Sequence, residues 1–151
     1  GAAGSIESGL AIANSSTEVA DVNFELITLD GKTAAAGTLR LQPNGQSHSF
    51  VADLPGVENL PSPFQGTLRM SSSAPVAVIG IRGRYNERGD LILATTPPVQ
   101  ESAHDVFIPQ VVNGAGYSTQ IVVYDGSGGD PASGNIYFFD QNGDPVDPHL
   151  R

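Results

Sequence analysis

Cysteine is absent from this 151-residue chain, which excludes disulfides and thiolate metal sites. Its absence does not place the protein in the cytosol, because a chain of this length can bury a core without bridges. Tryptophan is also missing, and with it the broad stacking platform common in sugar-binding modules. Lysine occurs once, at Lys32, and the balance of 7 basic against 16 acidic residues gives a formal net charge of −9. Such a surface repels polyanions, so a nucleic-acid partner is disfavoured. No apolar run approaches the roughly 20 residues of a membrane helix, so no such span is expected. The first residues lack both an initiator Met and an apolar signal core, and we expect them to follow a processing event or an expression remnant.

What the chain does have is turn chemistry. Its 18 glycines and 11 prolines cluster with Ser, Thr, Asn and Asp between short alternating apolar runs. Residues 9–13 read as a first strand. In residues 22–29, Val22, Phe24 and Leu26 alternate with Asn23 and Glu25, and Asp30-Gly31 marks a tight turn. Residues 37–41 alternate again, with Leu39 and Leu41 inward and Arg40 outward, and Pro43-Asn44-Gly45 turns the chain back. Residues 47–52 are a further strand. Residues 54–64 hold three prolines and read as a long loop with room for one helical turn. Gly66-Thr67-Leu68-Arg69 repeats the earlier Gly37-Thr38-Leu39-Arg40. Residues 75–85 and 91–96 form a hairpin around 86–90, and strands are expected near 106–112, 118–124 and 135–139. No window of about 11 residues shows helical periodicity. The expectation is an all-β protein, an antiparallel immunoglobulin-like β-sandwich.

The pattern echoes itself. Leu10-Ala11-Ile12-Ala13-Asn14 lines up with Ile121-Val122-Val123-Tyr124-Asp125, and a polar turn follows both. Residues 24–29, closed by Asp30-Gly31, line up with 136–139, closed by Asp140-Gln141-Asn142-Gly143. The period is about 110 residues, the size of one sandwich domain. The run Phe107-Ile108-Pro109-Gln110-Val111-Val112-Asn113-Gly114-Ala115-Gly116-Tyr117-Ser118-Thr119 resembles a recurring element of large secreted bacterial repeat proteins. So do Gly66-Thr67-Leu68-Arg69-Met70 running into Ala74-Pro75-Val76-Ala77, then residues 86–93 and Thr95-Thr96-Pro97. In those proteins the Pro-Gln/Gly-Tyr-Ser-Thr element opens a unit and the Thr-Thr-Pro element ends it. The resemblance implies an extracellular or cell-surface sandwich repeat with no activity attached. It also implies an organisation: residues 1–98 as a unit lacking its opening strand, 99–104 as a linker, and 105–151 as the opening half of a second unit or as strands completing the first. Phe107, Ile108, Val111 and Val112, apolar and free of charge, are the expected assembly strand, paired with a neighbour in the same or another chain.

Catalytic signatures are missing. His48 lies in a Ser-His-Ser strand, His104 in the linker and His149 in the tail, with no nucleophile elbow and no metal-binding helix motif. The chain is therefore expected not to be an enzyme. Asp140, Asn142 and Asp144, with Asp147 beyond, place hard oxygen ligands at alternate positions, as Ca²⁺ favours. An ordinary Asn-Gly hairpin turn explains the same residues, and no cofactor is expected. Arg88-Gly89-Asp90 at a hairpin tip is a candidate adhesive loop, set against a plain turn in which Gly89 takes the left-handed conformation. Asn14-Ser15-Ser16 is a glycosylation sequon, and Lys32 is the sole amine for an isopeptide crosslink. Tyr117, Tyr124 and Tyr137 are candidate sugar contacts or half-buried strand residues. The functional expectation is a structural repeat or filament subunit assembling by β-strand complementation, its partner itself or a neighbouring repeat. The alternative is a secreted adhesion module that binds carbohydrate or calcium.

Overall fold

A computed structural model describes residues 4–99, 105–112, 114–123 and 133–147. The chain divides into two units, Gly1–Pro109 and Gln110–Arg151.

The first unit is an antiparallel two-sheet β-sandwich. Strands β1 (Ile6–Asn14), β4 (Gln46–Phe50), β6 (Val76–Tyr85) and β7 (Leu91–Thr96) form one sheet in the order β4-β1-β6-β7. Strands β2 (Ala20–Thr28), β3 (Thr33–Leu41) and β5 (Gly66–Ser72) form the other in the order β3-β2-β5. Only β2–β3 and β6–β7 are hairpins; the other connections pass between the sheets.

The core follows from the alternation. Leu10 and Ile12 of β1 face Val22, Phe24 and Leu26 of β2, and Leu41 closes one end. Leu54 and Val57 are buried with them, although they lie in the connection between β4 and β5. A single 3-10 turn at Val51–Asp53 starts that connection and ends the strand expected over 47–52 at Phe50. The loop is thus a plug. It presses so close to β3 that a methyl on Gly37 would meet the Pro55 carbonyl oxygen at 2.1 Å. Gly56, at φ +90°, fits against the Ala36 carbonyl, a backbone conformation that glycine adopts freely.

The repeated Gly-Thr-Leu-Arg has a spatial meaning. The two copies flank β2 on its opposite edges, with Leu39 opposite Val22 and Leu68 opposite Leu26. On the outer face Arg40 pairs with Asp21 at 3.3 Å, and Arg69 pairs with Glu25. Thr38 donates its hydroxyl to Asn23 at 2.8 Å. The outer face of this sheet is therefore polar and cross-linked, although such exposed pairs add only about 0–1 kcal/mol each.

Towards the C-terminus the expected strands at 106–112, a run that straddles the boundary between the units, and at 118–124 do not form; no described residue of either run lies in a strand. Of 135–139, only Phe138–Phe139 is a strand, β8, paired with β9 at Pro145–Val146. Apolar alternation makes a strand only where a neighbouring strand supplies hydrogen-bond partners and a facing layer covers the apolar side. Among the described residues no strand pairs with 106–112 or 118–123, and most of their apolar side chains are exposed. Instead Thr119 holds the chain: its hydroxyl accepts from Val112 N–H (2.9 Å) and donates to the Val112 carbonyl (3.0 Å). Gly114 and Tyr117 bridge within that loop.

Candidate functional site: open edges and uncovered apolar faces

Three hairpin turns share one design. At Thr28, Asn86 and Asp140 the first residue's N–H donates to the carbonyl four residues on, at 2.8, 3.0 and 2.9 Å. Its side-chain oxygen accepts the N–H of that same later residue, Lys32, Asp90 or Asp144, at 2.9–3.0 Å. The fourth place is Gly31, Gly89 or Gly143, each with φ between 82° and 88°. Asp and Asn suit the first place because their side chains mimic a turn carbonyl.

This design accounts for several candidate residues. Asp140 Oδ1 accepts from Asn142 and Asp144 N–H, which holds its carboxyl below the ordinary carboxylate range, with Asp144 the larger cause. No group of three or more His, Cys, Asp or Glu side chains converges as a cation site among the described residues, Asp144 and Asp147 included. Arg88 and Asp90 pair with each other at 3.3 Å, and Asp90 also receives Asn86 Nδ2 at 3.0 Å. The tripeptide stands at an exposed tip with its charges turned toward one another. Lys32 pairs with Asp30 at 2.7 Å in the exposed turn, which lowers the Asp30 pKa and raises that of Lys32.

Asn14, read as the start of a sequon, is only 2% exposed. Its Nδ2 donates to the carbonyls of Glu18 (2.7 Å), Gln42 (3.0 Å) and Leu41 (3.4 Å). Its Oδ1 accepts from Ser16 N–H and Ser16 hydroxyl at 2.9 and 2.8 Å. The Asn-Ser-Ser run is a clip that ties the turn after β1 to the end of β3. The sequence signal was the buried position two residues beyond Ile12 on the same face of β1.

His48 is exposed on β4, opposite Ala11 of β1. Among the described residues it has no hydrogen-bonded carboxylate or hydroxyl. It belongs to the outer face of the four-stranded sheet, where Ala11, Ala13, Ala77 and Ile79 surround it in register. Phe50, Leu91 and Leu93 continue that face, all exposed. The two outer faces thus differ: one carries ion pairs, the other alanine and large apolar side chains.

The second unit exposes more. Val123 and Ile136 are 77% and 60% exposed and Ile121 and Phe138 half-buried, whereas Ile12, Phe24, Leu10 and Leu26, their counterparts in the echo, are buried. At the boundary between the units Phe107 is 88% exposed, and Ile108, Val111 and Val112 are exposed as well. Tyr117 and Tyr137 are exposed, and Tyr124, His104 and His149 lie outside the described residues.

Neither the family models nor the curated proteins include a match to this chain. A solved structure does resemble it: the crystal structure of Thermotoga maritima 1070, with a TM-score of 0.52 and 21% identity, covering 64% of this chain and 78% of that one. At that identity the likeness concerns the fold alone, and it supports the sandwich.

Proposed function

We propose that this chain is a non-catalytic structural module of a repetitive extracellular protein, assembling by β-strand complementation into a filament or stalk. The observation that carries the reading is the contrast between its two units. The second unit repeats the apolar pattern and the closing turn of β1–β3, but of the side chains whose counterparts lie in the first unit's core Val123 and Ile136 are exposed, and Ile121 and Phe138 are only half-buried. A half-sandwich with exposed apolar residues is a surface made to be completed. Head-to-tail completion that does not close on itself produces a filament. The resemblance to secreted repeat proteins supports the extracellular setting, and the acidic surface supports solubility there.

A deletion tests this. Residues 1–104 alone should remain monomeric and melt lower than the full chain. Adding a peptide of residues 105–151 should restore the melting temperature in a dose-dependent way. A truncated form that matches the full chain in stability, and is unmoved by the peptide, would count against the proposal.

A further inference from the structure

Deepening the structural reading above, and resting on it, we propose that the open edge of β7 is the docking site, and that its occupant is the segment 106–110 of a second copy of this chain. Edge strands recruit other strands unless they are blunted by charge. Of the four strands that end the two sheets, β3 carries Arg40, β5 carries Arg69 and β4 carries His48, while β7 (Leu91-Ile92-Leu93-Ala94-Thr95-Thr96) carries no ionisable group. All six of its residues are exposed, Leu93 to 58%.

The backbone fixes which groups are free. Asn86 N–H donates to the Asp90 carbonyl, so the pair 86–90 is a hydrogen-bonded one. Opposed residues alternate between bonded and non-bonded pairs, which directs the amides of Ile92, Ala94 and Thr96 toward β6. Tyr85, opposite Leu91, accordingly bonds on its other side, to Gly4 and Ser5. The N–H and C=O groups of Leu91, Leu93 and Thr95 therefore point to the open edge.

The segment Val106-Phe107-Ile108-Pro109-Gln110 matches this edge in three ways. It is uncharged, exposed and outside any strand. Its proline has no N–H, so it must fall where the added strand faces away from β7. Pairing Leu91 with Gln110, Leu93 with Ile108 and Thr95 with Val106 satisfies that condition, placing Pro109 beside Ile92 with its nitrogen outward. Phe107 then lies beside the small Ala94, on the face that exposes Ile6 and Ile92. Val112 stays with Thr119, so docking leaves that clasp intact.

A second copy is favoured over the same chain by the connection. Each hairpin turn described above uses a positive-φ glycine, yet residues 97–105 contain neither Gly nor Asn. They begin with Pro97-Pro98, a pair that keeps the chain extended as it leaves β7.

The test follows the mass of the full chain from micromolar to millimolar concentration, together with amide exchange at Leu91, Leu93 and Thr95. Wild type should assemble, with those amides protected only when assembled. Leu93→Pro removes a donor that β6 does not use, and Leu93→Lys places a charge on the edge. Each should raise the half-assembly concentration about tenfold or more, and Gln46→Lys on the β4 edge should not. Assembly unaffected by both Leu93 variants would overturn the β7 site while leaving the filament reading standing. A monomer at every concentration with the three amides protected would mean that the chain's own segment docks, overturning the second-copy proposal. A monomer with those amides unprotected would overturn both.

Discussion

At the scale of single residues, the clearest assignment is Asn14, a buried amide surrounded by three carbonyls and a serine. Asn14→Asp is isosteric but replaces a donor with an acceptor facing those carbonyls. It should destabilise the first unit by about 3 kcal/mol, within the range for an uncompensated buried polar group. Urea unfolding measures this, and a loss below about 0.5 kcal/mol would remove Asn14 from its role as the clip. Asp140 offers a second test. Its carboxyl is held low, so its contribution to the turn is present above the ordinary carboxylate range and is lost as pH falls through the lowered folded value. The Asn142 and Asp144 amide resonances should therefore move in acid. That of Arg88, bonded to the non-titrating Asn86 amide oxygen, should move less. The same occupied oxygen leads us to expect no rise in melting temperature with millimolar Ca²⁺; a rise abolished by Asp144→Ala would establish a calcium site.

At the scale of elements, β2 and its two Gly-Thr-Leu-Arg neighbours show what patterning can and cannot reveal. The alternation of Val22, Phe24 and Leu26 identified the strand and its inward face, and the Asp30-Gly31 and 86–90 turns marked both hairpins. That the two repeated runs flank one strand could not be read, because strand order depends on contacts far apart in sequence. The plug was missed for a related reason. Prolines marked 54–64 as a loop, and nothing local says that Leu54 and Val57 complete a core built elsewhere. Strands at 106–112 and 118–124 were expected from apolar alternation, which reports a capacity to pair and needs a partner to be expressed. The plug makes its own prediction. Gly37→Ala, with the Pro55 oxygen and the Phe24 ring in the way, should cost about 1–3 kcal/mol as an overpacked site. Gly89→Ala, at an exposed turn, carries only the strain of positive φ and should cost about 1 kcal/mol. Equal and negligible losses in thermal melts would remove the plug from the account.

At the scale of the whole molecule, the two units of one chain invert each other's surface logic. The first encloses its apolar alternation between two sheets; the second repeats part of that alternation and leaves Val123 and Ile136 exposed. The candidate docking elements were legible only as apolar runs. Their free backbone groups became assignable once the bonded pair at 86–90 set the phase of β7. The most direct measurement is the mass of the full chain by sedimentation equilibrium across a wide concentration range. The account predicts a mass that grows with concentration through an open series of oligomers. A single monomeric mass throughout would contradict it.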